Sequence, residues 1–280
     1  MSGVVQQRIR ATMKTSGTYI IRGGAEGKKR LEVLARVMWP TTSRLLAETG
    51  LAPGMTCLDL GCGGGDVTLQ LATAVGPRGH VIGVDMDEIK LDLARQTATR
   101  LGLANVQFRR LNVQDWVEES QYDCIYCRFL LTHLADPLHV LRQMLHAARP
   151  GGMAVVEDIE AGSSFCYPHC GGFDAFVRLY RAAAARQGAD ADIGPKLHGM
   201  ALDAGWRNVK INVIQPTFAS GEGKQIPVLT LINITDSILA EKLATEAELQ
   251  SIVDDLSRFT DDPRTLLSLP RVFQVWGQRE

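Results

Sequence analysis

Ten residues, Cys57-Leu58-Asp59-Leu60-Gly61-Cys62-Gly63-Gly64-Gly65-Asp66, join a short apolar run to an acid and a cluster of glycines. The run reads as a strand buried in a parallel sheet, and Val67 to Ala72 reads as the start of a helix. Such a unit builds a ligand site. Glycines admit positive φ and let a ligand approach the backbone, and the free N–H groups of the helix start face that ligand. Asp59, Gly61, Cys62 and Gly63 are therefore candidate binding residues. Asp85 closes a second apolar run, His80 to Val84, about 20 positions beyond the glycines, where a ribose-binding carboxylate is expected. A carboxylate accepts from both ribose hydroxyls, and Met86 beside it is placed to pack on a base. The alternative for Asp85 is a charge at the start of the helix that Asp87 and Glu88 open.

Other chemistry-bearing residues lie further along. Glu157, Asp158 and Glu160 gather at the end of a strand predicted over Met153 to Glu157. Carboxylates facing a crevice there bind substrate, hold a metal or act as a base; otherwise they are solvated loop charge. Cys124 and Cys127 have zinc-like spacing, but a strand sends residues three apart to opposite faces. Cys166, His169 and Cys170 have no fourth ligand at typical spacing. No metal site is expected.

The elements that must position these residues alternate. Strands are predicted over Cys57–Leu60, His80–Asp85, Val106–Leu111, Tyr122–Arg128, Met153–Glu157, Val209–Ile214 and Val272–Trp276, with helical periodicity between most of them. This is the pattern of an α/β, doubly wound, Rossmann-like sheet, whose ligands bind beyond the carboxyl ends of the strands. Residues 1–50 form an N-terminal arm followed by helices: Leu31, Leu34, Val37 and Met38 have helical spacing, Pro40 should end or kink that helix, and a second one reaches Glu48. Residues 51–280 form the main domain, with 159–205 and 216–270 as helical elements on the substrate side. Between the last two strands, Lys224 to Leu269 carries two apolar-patterned helices, Ile226–Leu239 and Ala247–Phe259. A long segment with its own helices over a ligand face is a lid; the alternative is a contact between two copies in a homodimer.

Composition excludes several classes. The 280 residues hold 30 Lys and Arg against 31 Asp and Glu, a net charge of −1, with no long basic block, so no nucleic-acid partner is expected. No apolar run reaches the length of a membrane span, and Met1 to Lys14 is no secretory signal. Six scattered cysteines suit a reducing, cytoplasmic setting better than a disulfide framework.

The run from Asp59 to Gly65 has the form D-x-G-x-G-x-G, and it resembles the first motif of class I S-adenosylmethionine-dependent methyltransferases of the small-molecule type. The third glycine of the dinucleotide fingerprint G-x-G-x-x-G would fall on Asp66, which disfavours a nicotinamide dehydrogenase. His133-Leu134-Ala135-Asp136-Pro137 after the fourth strand and Pro150-Gly151-Gly152 before the fifth are similar to further landmarks of that family. The resemblance is firm over about Leu51 to Val156. It implies a seven-stranded fold with S-adenosylmethionine as cofactor. The Asn112-Val113 loop would hold the adenine, although the family commonly has Asp at the place of Asn112. Arg128 and His133 would stand at the rim of the cofactor pocket. Tyr19 would contact the cofactor if the arm folds over it, or else pack on the core. The implied reaction is methyl transfer to a small organic acceptor through oxygen, nitrogen or carbon, a secondary metabolite or quinone-like compound among the options. The tetrapeptide of base and amide N-methyltransferases is absent, Cys127-Arg128-Phe129-Leu130 standing in its place. An oxygen acceptor would need a base, with His133, Glu157, Asp158 and His169 as candidates. A non-catalytic protein that binds S-adenosylmethionine is the rival reading.

Overall fold

A computed structural model describes residues 24–280. The described chain opens with one long helix, α1 (Gly24–Glu48), which runs through Pro40 without the expected break. Proline removes one donor and crowds the preceding turn. The helix is held on both sides of it: Val33, Leu34 and Met38 are buried before it, Leu45 and Leu46 after it, and Thr42 is hydrogen-bonded into the sheet. Tertiary packing here overrides a local signal.

After α1 the chain alternates as predicted: β1 (Thr56–Leu60), α2 (Asp66–Val75), β2 (His80–Asp85), α3 (Glu88–Arg100), β3 (Val106–Arg110), β4 (Tyr122–Arg128), α4 (Pro137–Ala147) and β5 (Ala148–Glu160). Next come β6 (Cys166–Tyr167), α5 (Gly171–Arg186), α6 (Leu197–Asp203), β7 (Arg207–Ile214), β8 (Thr217–Phe218), α7 (Ile226–Ala240), α8 (Glu246–Asp261), β9 (Leu266–Ser268) and β10 (Arg271–Gln278). Among the described residues, seven strands form one sheet in the order β3-β2-β1-β4-β5-β10-β7. The first five are parallel, and β10 lies antiparallel between β5 and β7. A small antiparallel sheet, β6-β9-β8, which no sequence pattern suggested, ties the insert to the loops beside it.

Strand alternation sorts the core. Leu58, Leu60, Ile125 and Val156 pack with Val140, Leu141 and Met144 of α4. Cys57, Cys124, Tyr126 and Val155 face the other way, onto Leu45 and Leu46 of α1 and Val67 and Leu71 of α2. A third body of apolar contacts joins α1, α5, α7 and α8 over the carboxyl ends of the strands. Among the described residues no helix is long and apolar enough to cross a membrane.

β5 is longer than predicted, so Glu157, Asp158 and Glu160 lie inside the strand and not in a loop. Trp116, expected on a short helix capped by Asp115, instead follows a turn: the Asp115 carboxylate accepts from the Asn112 side chain at 2.7 Å.

One buried cation braces the cap. Lys224, immediately before α7, is 2% exposed. Its ammonium donates to the carbonyls of Asp262 (2.9 Å) and Thr265 (3.2 Å) and to the Thr265 hydroxyl (2.7 Å). These bonds fasten the start of α7 to the turn after α8. Lys224→Met keeps the aliphatic stem but leaves the Thr265 carbonyl without this donor. The variant should lose about 1–3 kcal/mol of stability, read as a lower urea midpoint with an unchanged slope.

Candidate functional site

The glycine turn is built as its residue types demand. Gly61, Gly63 and Gly65 all have positive φ (67°, 55° and 79°). A side chain at Gly65 would meet Ala94 Cβ at 2.8 Å and the Phe108 ring at 2.9 Å, so glycine is needed there for α2 to lie close to α3 and β3. The turn is laced by Cys62 N–H to Val84 O (2.9 Å) and Gly65 N–H to Cys62 O (2.9 Å). Two acids hold it from either side. Asp59 accepts from the Thr68 hydroxyl of α2 at 2.6 Å. Asp85 accepts from Gly63 N–H (2.9 Å) with one oxygen and from Asp87 N–H (2.9 Å) with the other. Each carboxylate oxygen has a second lone pair, so Asp85 keeps capacity for a ligand while it steadies the turn. No side chain caps the start of α2, and Asp66 and Val67 line the open space in front of it.

That space is a cleft enclosing about 1310 Å³, solvent at its mouth included. Its floor and near wall hold Asp59, Gly61, Cys62, Gly63 and Asp85, with Arg128 and His133 beside them. The structure thus brings together seven of the residues singled out from the sequence. It does not bring the other described candidates to the lining. Met86 is 57% exposed and outside the lining. Val113 is buried in the core under the sheet. Asn112 donates its amide N–H to Asp115 and accepts at its oxygen from Gln114 N–H, bracing its own loop outside the lining. Tyr19 lies outside the described residues.

Glu157 and Asp158, expected to face the crevice, are fully buried and do not line it. Their strand continues past them, and alternation sends the two side chains to opposite faces. Glu157 points under α1, where it accepts from Thr42 (2.7 Å), Tyr126 (2.6 Å) and Gln274 (2.8 Å). The register sets this row: Arg128 and Gln274 flank Glu157 on the two neighbouring strands. The Arg128 guanidinium donates in turn to the Thr42 hydroxyl at 3.1 Å. Asp158 faces the other side, accepting from Thr132 N–H (3.0 Å) and Ile159 N–H (2.9 Å).

Burial dominates the titration of these acids. It lifts Asp158 to about 7 against the opposing pull of its backbone donors. It lifts Asp59 to about 7 as well, offset in part by the Thr68 bond and the Arg128 charge. His133 moves the opposite way: burial, with the charges of Arg30 and Lys90 nearby, lowers it to about 3, so it is a neutral imidazole near neutral pH. His169, an outlying candidate base, pairs with Asp174 at 2.8 Å on the surface and does not line the cleft.

Several lining residues had not been named as site residues, although segments 159–205 and 216–270 were expected on the substrate side. Arg30, Leu31, Leu34 and Met38 come from α1; Phe173, Phe176, Val177 and Tyr180 from α5; Ile226, Pro227 and Thr230 from α7. The spacings 30/34/38 and 173/176/177/180 each mark one helical face; the second lies in a segment expected on the substrate side, whereas the first carried no sign of its target. Lys90, buried on α3 with its ammonium 3.7 Å from Asp87, also lines the cleft and carried no sequence signal. Phe129 lines the cleft from a left-handed backbone position (φ 53°), with the Arg128 guanidinium 5.6 Å from its ring centre. Among the described residues no cluster of three or more His, Cys, Asp or Glu is arranged to hold a metal.

The comparisons agree with this geometry. Residues 51–178 match a family described as a methyltransferase domain. The chain is 36% identical over 104 residues to a demethylmenaquinone methyltransferase of Bacillus cytotoxicus, a match covering 37% of this chain and 44% of the relative. It is 37% identical over 106 residues to a ubiquinone biosynthesis O-methyltransferase of Acinetobacter baylyi, covering 37% and 42%. The matched part thus spans less than half the length of these curated relatives. A solved structure from Bacillus halodurans, titled as a methyltransferase candidate, superposes with a TM-score of 0.58 at 18% identity, covering 85% of this chain and 97% of the other. The seven-stranded sheet and its glycine turn have the fold of the class I methyltransferases.

The Asp158 environment makes a pH prediction. Its carboxyl group titrates near 7 in the folded protein and near 3.9 when unfolded. The folded state therefore binds the extra proton between those values, and the associated stability is present below about pH 4 and lost as pH rises through about 7. Asp158→Asn should flatten this fall, worth up to ~4 kcal/mol, in unfolding curves taken from pH 4 to 8. A variant that keeps the wild-type slope would refute the assignment.

Proposed function

We propose that this chain is an S-adenosylmethionine-dependent methyltransferase acting on a small organic molecule. The observation that carries the reading is the clamped glycine turn opening into a cleft whose far half is apolar. The turn fits the cofactor: its glycines leave the backbone bare, the start of α2 is uncapped, and Asp85 stands at the tip of β2. Gly61, Cys62 and Gly63 would hold the amino-acid end, and Asp85 the ribose hydroxyls. Bound S-adenosylmethionine supplies a methyl group already activated on a sulfonium.

The work left to the protein is positioning and drying. Helices α1, α5 and α7 and the end of β9 wall the cleft on the side away from the turn, through residues such as Leu34, Phe176, Ile226 and Leu269. This supports the insert, together with the 159–205 region, as the acceptor-side cover; α8 packs behind α5 and α7 and supports them from outside. The two relatives are named for quinone compounds, and an apolar, ring-lined half of the cleft suits a flat organic acceptor of that general kind. Glu157 and Asp158 serve as internal braces in this reading. His133, neutral and hard to protonate, lines the site and could take only a weakly held proton.

Calorimetry should show saturable binding of S-adenosylmethionine and none of NAD; the reverse would overturn the proposal. Gly63→Val, which brings a Cβ to 3.2 Å of Leu31 and a branched side chain to a positive-φ position, should abolish binding in protein that circular dichroism shows to be folded. Asp85→Ala should weaken binding by ~1.5–3 kcal/mol; a change below about twofold would mean that Asp85 only tethers the turn. Transfer of label from methyl-labelled S-adenosylmethionine to a small-metabolite extract separates an enzyme from a non-catalytic binder.

A further inference from the structure

We propose that Arg128 receives the carboxylate of the cofactor's amino-acid end, and that Thr42, held by Glu157, is the residue that positions it. The inference rests on S-adenosylmethionine lying at the glycine turn, and it names the side chain that takes its anionic group.

Strand pairing places Arg128. It is the last residue of β4, and the last pair between β1 and β4 is Leu60 with Cys127. The next position on β1 is Gly61, so Arg128 stands beside the first glycine of the turn. β1 and β4 are also the two strands at which the strand order changes direction, where the crevice of such a sheet opens. Pairing fixes the face as well. Asp59 lies opposite Tyr126, and Glu157 opposite Arg128. Side chains alternate along each strand, so Asp59, Tyr126, Arg128 and Glu157 share the face that α1 covers.

One hydroxyl then sets the guanidinium. Thr42 is fully buried. Its hydroxyl donates to Glu157 Oε1 at 2.7 Å, which leaves the hydroxyl oxygen to accept from Arg128 Nη1 at 3.1 Å. The Glu157 oxygens are taken up by Thr42, Tyr126 and Gln274, and Arg128 reaches that carboxylate only through the threonine. Among the described residues the bond to Thr42 is the hydrogen bond that the Arg128 side chain makes, and no carboxylate pairs with it. The Phe129 ring, centred 5.6 Å away, packs against the guanidinium. An arginine has five N–H donors in a planar fork, so most of them remain for a ligand. The side chain lines the cleft together with Asp59, Gly61 and Gly63, and its charge is felt at Asp59. The fork matches the two oxygens of a carboxylate, and a carboxylate is the anionic group that S-adenosylmethionine carries.

Two ligands test this on the full-length protein: S-adenosylhomocysteine and its decarboxylated analogue, which keeps the adenosine and the amine. In calorimetry the wild type should bind S-adenosylhomocysteine about tenfold or more tightly than the analogue. Arg128→Gln should bring the ratio of the two affinities close to one by weakening S-adenosylhomocysteine and sparing the analogue. Thr42→Val keeps the side-chain shape and removes the hydroxyl; it should lower the ratio severalfold, and Thr42→Ser should restore it. A residue that only packed the core would weaken both ligands together and leave the ratio where it was. The proposal is overturned if the wild type binds the two ligands alike, if Arg128→Gln keeps the wild-type ratio, or if folded Thr42→Val keeps it. The wild-type ranking and the Arg128→Gln comparison leave Thr42 and Glu157 in place, so they decide the proposal even where Thr42→Val does not fold. Wild-type protein that binds neither ligand overturns the cofactor reading, and this inference falls with it; equal binding of both overturns this inference alone.

Discussion

The position of α1 depends on one buried carboxyl group. Glu157 receives hydrogen bonds from a threonine of α1, a tyrosine of β4 and a glutamine of β10. An acid taken fully out of water is tolerated only where its oxygens are satisfied. Here the satisfaction requires three elements to meet at one point, and one of them is the helix that forms a wall of the cleft. Asn212 extends the row by donating to Gln274 at 2.8 Å, so the polar ladder crosses from β4 to the far edge of the sheet. The helix is thereby registered against the sheet by directional bonds, where apolar packing alone would let it slide.

The same ladder separates two kinds of acid that look alike in a sequence. Asp85 and Glu157 both follow a valine near the end of a parallel strand. The first ends its strand and reaches the turn; the second has three further residues of strand after it and is roofed by α1. What distinguishes them is how far the neighbouring strand continues. β10 pairs with β5 as far as Glu160, and it is contributed by residues more than a hundred positions away.

This explains what was legible. The glycine turn, Asp85 and the alternation of strands and helices are local patterns, each written within about twenty residues, and the structure keeps them. The break at Pro40, the crevice-facing acids of β5 and the loop contacts of Met86, Asn112 and Val113 were judged without knowing what packs over them. α1 continues because the sheet holds both its halves. The small β6-β9-β8 sheet joins strands of two or three residues from distant segments, too short to carry a periodicity of their own. The stripes on α1 and α5 were visible as amphipathic faces, but an apolar face says only that something covers it.

The Arg30–Thr230 bond joins residues 200 positions apart, and Thr42 meets Glu157 across 115. Loop closure over such separations is slow and is rewarded only once both ends are structured. The sheet from β1 to β5 draws on contiguous sequence, but α1 finds its full set of partners only after β10 and α7 have been made. During synthesis the Glu157 site therefore gains its glutamine donor only once β10 has been made. A chain stopped before β10 would lack the glutamine that completes the Glu157 site and the strand that covers the edge of β5, leaving an apolar helix and an open sheet edge exposed to other chains.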